Sequence, residues 1–420
     1  MSLRILALHR QASACQYYRS ALPARILARL GHTVTHDETR VYQDWLKPAH
    51  KVPPELRPEQ WLIEHLGQFD LIIVDRAITH EEWRLFAAFR HNSPGARMIV
   101  DFDDAFDIVP WWNPAQKDYN PGQQPYDAGF SHLRVAEMTT VSTEPLLEHF
   151  TPYTHAIAHV PNLIAPADWG GFPVNPERAS DDALRIFYGG ATGHFEDMNE
   201  ARVGLEAILE NPPTPLRLFC VGALPFWLYD LSKKYPGRVV RLPWIAFKDY
   251  PEVIAWGGFD LAIAPLKDDP FNDAKSNIKW LESGIQGIPL LCSDIGPYAR
   301  IPDGCAVKVS NTPFQWAEGL RNMLLDPALR GRVAARAREA VLDCFTLDQG
   351  LKTWESVLDR VMARPRIETL EDTRLPAHPG PQPPAAAAPQ EGTSEPPSLT
   401  LVEESRRAGH HPASTGDRHN

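Results

Sequence analysis

Short apolar runs alternate with longer stretches of helical spacing along residues 1–345, and this alternation restricts the fold more than any other feature. Runs of this length, bounded by turn residues, are strands covered on both faces. In the first half they are Leu3–Leu8, Thr33–His36, Leu71–Val74, Met98–Asp101, Met138–Val141 and Ala156–Val160. In the second half they are Leu184–Tyr188, Arg217–Val221, Val239–Leu242, Leu261–Ala264 and Pro289–Cys292. Helical spacing covers Gln16–Leu30, Asp197–Leu209, Ala274–Gln286, Pro313–Leu325, Ala328–Leu342 and Leu347–Met362, the first stopped by Gly31. Strand–helix alternation requires parallel sheets with right-handed crossovers. Two such blocks predict an α/β protein with two Rossmann-like domains, 1–165 and 182–345. The connection, 166–181, holds Pro166, Gly170, Gly171, Pro173 and Pro176. A helix within 346–363 follows, then a Pro- and Ala-rich segment, 364–420, that cannot bury enough apolar surface to order itself.

Charge and cysteine usage exclude several classes. The formal net charge is −11, which argues against a general binder of phosphate backbones. Cys15, Cys220, Cys292, Cys305 and Cys344 are odd in number and widely spaced, as in a cytoplasmic chain with reduced thiols and no zinc site. No basic segment precedes an apolar stretch at Met1–Arg10, and no run reaches the roughly 20 apolar residues of a membrane span. Neither a signal peptide nor a transmembrane segment is expected.

Ligands of open α/β sheets lie at the carboxyl ends of strands, so residues just after strands matter most. Lys275, Lys279, Glu282 and Gln286 form one polar stripe on the expected helix Ala274–Gln286, opposite Ile278, Leu281 and Ile285. A helix start carrying Lys275 and Ser276 suits a diphosphate, and Glu282 further along suits two ribose hydroxyls. The same stripe is equally compatible with a solvated face, where Lys279 and Glu282 make a pair worth under about 1 kcal/mol. Gly189, Gly190, Thr192, Gly193 and His194 form a Gly-rich loop that lets backbone approach a phosphate, or an ordinary strand–helix turn. Asp197 reads as the cap of the next helix. Trp244 follows another strand, and burial is its favoured reading. In the first half, His9, Tyr18 and Arg19 follow the first strand. Helix electrostatics do not explain Arg19 at a helix start; an anionic ligand or an interdomain salt bridge does. Asp101, Asp103 and Asp104 close the fourth strand, and Trp111, Trp112, Tyr119 and Tyr126 follow in a loop read as packed, with sugar stacking the alternative.

Leu281-Glu282-Ser283-Gly284 through Gly287-Ile288-Pro289, then Ser293-Asp294-Ile295-Gly296-Pro297, resembles the donor-binding core of retaining GT-B glycosyltransferases. Lys275-Ser276 and the opening Tyr17-Tyr18-Arg19 with Pro23 resemble one branch of them. The resemblance implies two facing Rossmann-like domains, an acceptor domain at 1–165 and a donor domain at 182–345, with a C-terminal crossover helix and a disordered tail. It implies Glu282 on the donor ribose, Lys275 on the diphosphate beside Ser276 and Lys279, and Trp244 near the base. It sets His9, Tyr18, Arg19, Asp103 and Asp104 on the acceptor side. Many relatives carry a second Glu eight positions before the ribose acid; here that position is Ala274, and Asp273 is the substitute. Asp-x-Asp is also the metal signature of GT-A enzymes. A second block with its own ribose acid and phosphate helix supplies donor binding without a metal, so neither metal nor cofactor is expected.

The implied reaction moves a sugar, with retention, from a nucleoside-diphosphate sugar to a carbohydrate, lipid-linked or other hydroxyl, as in polysaccharide biosynthesis. Lys275, Glu282, Asp103 and Asp104 are the residues expected to carry it. Inversion would need a general base, with Asp103, Asp104 and His9 as candidates. A nucleotide-sugar epimerase and a non-catalytic carbohydrate- or partner-binding protein are the alternatives.

Overall fold

Central strands that are apolar along their whole length need cover on both faces, and the two sheets of this chain provide it. The structure is a computed structural model that describes residues 2–38 and 65–367, apart from 11–12, 66, 80–81, 83–85, 87–88, 91–92, 94, 174, 177 and 179–180. The segment expected to be a disordered tail lies, from residue 368 on, outside the described residues.

The first sheet holds β1 (Arg4–His9), β2 (Thr33–Glu38), β3 (Leu71–Asp75), β4 (Arg97–Phe102), β5 (Met138–Val141) and β6 (Ile157–His159), in the order β2-β1-β3-β4-β5-β6. The second holds β7 (Leu184–Gly190), β8 (Leu216–Gly222), β9 (Val239–Leu242), β10 (Leu261–Ala264), β11 (Leu290–Ser293) and β12 (Val307–Val309), in the order β12-β11-β10-β7-β8-β9. Every pairing within them is parallel. β12 is absent from the sequence-based expectation. It is a short edge strand whose middle residue, Lys308, bonds the carbonyls of Ala299 and Ile301, so no apolar run marks it.

Three expected helices are interrupted, each for a local reason. The stretch Gln16–Leu30 opens with a π turn, Tyr17–Ala21, before α1 (Leu22–Arg29). Pro23 lacks an N–H and its ring crowds the carbonyl four residues back, so the regular ladder cannot run through it. The stretch Asp197–Leu209 breaks after α2 (Phe195–Asn199) and resumes at Arg202–Glu210. The stretch Ala274–Gln286 has no helix at its start. A short α4 is reached only after α3 (Phe226–Lys234), at Pro270–Asp273, where the Asp269 carboxylate caps Phe271 N and Asn272 N at 2.9 and 3.1 Å. The following helix, α5, begins at Ile278 and ends at Ile285. Between them α4 sends Phe271 and Ala274 into the core of the first sheet, and Ser276 takes a partner from outside the segment. Packing therefore fixes 274–277 in a non-helical path.

The chain crosses back at its end. α6 (Leu347–Met362) buries Trp354, Val357, Leu358 and Val361 with Ile5, Leu22 and Ile26 of the first lobe. Beside this crossing, Ile164 N donates to Phe345 O at 2.7 Å, so the two connections between lobes run together. Gly350 sits where α6 meets them: a Cβ there would lie 2.4 Å from Leu163 and 2.7 Å from Ile26. Among the described residues no helix is long and apolar enough to cross a membrane.

Candidate functional site

The carboxyl end of β7 turns sharply at Gly190, where a Cβ would stand 2.4 Å from the Tyr188 hydroxyl. The exposed Thr192 then opens a tight turn that ends at His194 and leads into α2. Asp197 is not a helix cap. It is wholly buried; one oxygen accepts from His194 Nδ1 at 2.7 Å, the other from Lys267 N at 3.0 Å and Asn272 Nδ2 at 2.8 Å. Burial opposes its charge, yet the His194 bond and the Lys275 charge hold its carboxyl at about 2. The pair fixes the His194 tautomer, with the proton on Nδ1 and a lone pair on Nε2. Burial, then the charges of Lys279 and Lys275, push the His194 ring down to about 3.

Lys275 and Lys279 converge on this turn from opposite ends of the break before α5. The Lys279 ammonium lies 5.6 Å from the Tyr188 ring, and that of Lys275 lies 4.8 Å from the Phe271 ring. Burial lowers Lys279 to about 8, and the Lys275 charge adds to that. The charge of Lys275 is felt by Asp197 in the second lobe and by Asp104 in the first, which places it between them.

Glu282, one turn beyond Lys279, is only 9% exposed. Tyr18 of the first lobe donates to its Oε1 at 3.0 Å, and Tyr250 of the second lobe lines the same cavity. Burial raises its carboxyl to about 7, while the Tyr18 bond, the Lys279 charge and the Tyr250 hydroxyl work downward. The solvated-face reading of this helix is therefore wrong. So is the single stripe: Lys275 lies off the helix, and Gln286 donates to Trp169 O at 2.8 Å in the interdomain connection.

Other expected residues part from the site. Asp273 pairs with Arg300 at 2.9 Å on the outer side of α4 and is half exposed. Ser276 accepts from Asn162 Nδ2 at 2.8 Å, so its hydroxyl ties the lobes together. Trp244 is 72% exposed, correcting the favoured burial, and lies over Gly222 beside Gly190. His9 faces its own sheet, 4.7 Å from the His36 ring and 3.9 Å from Glu38. Tyr18, expected on the acceptor side, is spent on Glu282. Arg19 is 2% exposed and enclosed by its own lobe: Asp101 takes Nε and Nη2 at 2.8 and 2.6 Å, and Val160 O and Asn162 Oδ1 take Nη1 at 2.7 and 3.0 Å. It is neither an open anion ligand nor an interdomain salt bridge.

Asp103 and Asp104 both lie beside Arg76, a residue to which sequence reasoning gave no role. Arg76 Nε stands 3.6 Å from Asp103, and Nη2 stands 3.9 Å from Asp104. Its φ of +48° is the one left-handed non-glycine conformation among the described residues, a strain that clusters at ligand sites. Burial and Asp103 raise the Asp104 carboxyl, against Arg76 and Lys275. Two further contacts join the lobes: Asn113 packs on Gly193 of the Gly loop, and Thr143 Oγ1 donates to Ala274 O at 2.8 Å. Of the aromatics expected in a packed loop, Trp111 is 84% exposed, while Tyr126 is buried on the helix Gln124–Val135. Among the described residues no three carboxylates, imidazoles or thiols converge as a metal site.

Asp75, behind this cluster, carries a pH prediction. Burial, Asp103 and Asp101 raise it from 3.8 to about 8, against Arg76 and the Arg10 N–H. The folded chain holds this proton more tightly than the unfolded one. Its contribution is thus complete below the ordinary value and is lost as pH rises through about 8, at up to about 1.4 kcal/mol per pH unit. Asp75→Asn should flatten that part of a stability-against-pH profile measured by urea unfolding; an unchanged slope would show that Asp75 titrates normally.

Residues 202–356 match the family model described as Glycosyl transferase-like. The second lobe carries a glycosyl transferase-like domain. Solved structures show the whole fold. Sucrose-phosphate synthase from Thermosynechococcus elongatus superposes with a TM-score of 0.60 at 15% identity, over 86% of this chain and 99% of that one. A glycosyltransferase from Rickettsia africae gives 0.61 at 14%, over 87% and 100%. Anabaena HepE, solved with UDP and glucose, gives 0.58 at 12%, over 85% and 99%. The fold is therefore of the GT-B type. No curated protein sequence matches the chain. The glycosyl transferase-like match includes Trp244, Lys275, Lys279 and Glu282, while the Gly loop, His194 and Asp197 stand just before it. Asp197, read from sequence as a cap, carries a different signal, an acid three positions after His194. The roles of Asn162 and Arg76 had none, since their partners are distant in sequence.

Proposed function

We propose that this chain transfers a sugar from a nucleoside-diphosphate sugar to an acceptor hydroxyl. The observation that carries this reading is Glu282, a buried carboxylate at the lobe boundary with Lys279 one turn before it and Lys275 beyond. Two half-buried ammonium groups beside a Gly-rich turn suit a diphosphate, and an acid one turn beyond Lys279 suits a ribose. Trp244, open at the end of β9, suits a base. His194 offers an acceptor at Nε2, which suits a sugar hydroxyl better than a phosphate oxygen. HepE binds UDP, so a uridine nucleotide is the first to test.

Retention fits this arrangement. The acceptor oxygen bonds to the anomeric carbon on the face from which the diphosphate leaves, and the departing phosphate oxygen takes the acceptor proton. Lys275 and Lys279 neutralise the charge that builds on the leaving group, with no metal required for that task. Asp103 and Asp104, fixed by Arg76, orient the incoming hydroxyl. Unpaired cysteines, three of them buried, are in keeping with a reducing cytoplasm.

Calorimetric titration with UDP, GDP and ADP tests the reading. Affinity should climb as Glu282 ionises near pH 7 and decline as Lys279 loses its proton near pH 8. Glu282→Gln should remove the acid limb and weaken binding about ten- to a hundredfold, the worth of a charge-assisted hydrogen bond. Equal affinity in that variant would refute the ribose assignment.

A further inference from the structure

We propose that the outer edge of the second lobe, around α3 and β9, docks on an anionic lipid surface. Residues 226–249 carry Lys233, Lys234, Arg238, Arg241 and Lys248 against Asp230 and Asp249, and with the neighbouring Arg202, Glu206 and Glu210 counted the patch keeps six cations against four carboxylates, in a chain whose net charge is −11. The segment also carries Phe226, at 86% exposed the most exposed aromatic of this lobe among the described residues. Basic residues interleaved with aromatics on one face are what a headgroup layer recognises, cations for its charge and rings for the boundary with the acyl chains.

The geometry favours lipid over a carbohydrate chain. A sugar-stacking platform needs an open ring face, but the Tyr229 ring is covered by Lys233 at 4.1 Å and Arg241 at 4.5 Å. These contacts hold two cations at the level of the ring, beside Phe226, which has no polar group to offer a sugar. β9 is the edge of its sheet, so no further strand shields the patch. α3 is anchored behind by Trp227, whose Nε1 donates to Asn199 Oδ1 at 2.8 Å next to the Gly loop. Phe226 follows the carboxyl end of β8, the end at which β7 carries the Gly loop. A bilayer here would therefore lie along the rim of the cleft, where a lipid-linked acceptor could enter. The docking itself is independent of the donor assignment.

Sedimentation of the full chain with phosphatidylcholine vesicles, with and without phosphatidylglycerol, tests the proposal. Binding is expected only with phosphatidylglycerol and should weaken as salt rises. Lys233→Gln with Lys234→Gln should lower partitioning about thirtyfold, and Phe226→Ser about tenfold or more. Phe314→Ser, on the exposed start of helix Pro313–Leu325, should leave it unchanged. Circular dichroism should show all three variants folded. Equal binding to neutral vesicles, no binding to anionic ones, or full binding by the patch variants would overturn the proposal. So would a concentration-dependent dimer, abolished by Phe226→Ser, in place of lipid binding.

Discussion

Arg19→Ala should lose about 3–5 kcal/mol of folding stability, the cost of breaking a buried ion pair by removing one partner. The guanidinium fills both oxygens of Asp101 and supplies Val160 O and Asn162 Oδ1 as well. Without it, Thr140 alone, at 2.6 Å, is left to serve the Asp101 carboxylate. Burial already pushes that carboxyl upward, and Arg19 is its chief opponent. The variant should therefore take up a proton at Asp101, and its deficit should grow as pH rises. Arg19→Lys keeps the charge but not the fork and should cost less than Ala. Replacing both partners, Arg19→Met with Asp101→Leu, should regain much of the loss, because no unpaired charge then remains. Urea unfolding of the four chains reads all of this. A total stability of about 5–15 kcal/mol leaves room to measure it. If Arg19→Ala kept its stability and instead lost ligand affinity, the enclosed ion pair would be the wrong account.

The same residue shows where sequence reasoning stops. Local pattern revealed every strand but β12, because buried parallel strands announce themselves as apolar runs. It revealed the last three helices nearly to the residue, since Pro313, Pro327 and the Leu347–Met362 stripe act locally. It failed where a distant partner decides. Arg19 looked like a ligand group because Asp101 and Val160 are far along the chain. Asp273 looked like a sugar contact until Arg300 appeared beside it. The path of Ala274–Asn277 is set by the core of the other lobe and by Asn162, neither visible in a helical period. Glu282 is the reverse case. Spacing alone left it balanced between solvent and site; resemblance tipped it, and the Tyr18 bond shows the burial that spacing could not.

Removing the amine of Lys275 or Lys279 should lower the rate of sugar transfer about a hundred- to a thousandfold, the usual cost of losing a charge aimed at a leaving group. The two losses should not add, because the proposed function sets both lysines on one diphosphate. A bare rate loss would not separate this role from damage to the fold, but the proton equilibria do. Lys275 is among the groups that depress Lys279 to about 8. In Lys275→Ala the Lys279 ammonium should hold its proton longer, so the alkaline limb of nucleotide binding should move to higher pH. In Lys279→Ala that limb should vanish, while the acid limb set by Glu282 near pH 7 should persist and shift upward, since the Lys279 charge helps keep that carboxylate ionised. Lys279→Arg, which stays charged, should also lose the alkaline limb yet keep more affinity than Ala. Titration of the three variants across pH, beside donor-consumption rates, checks the scheme. Were the limbs to stay in place and turnover to survive in both alanine variants, the cations would not be holding the phosphates.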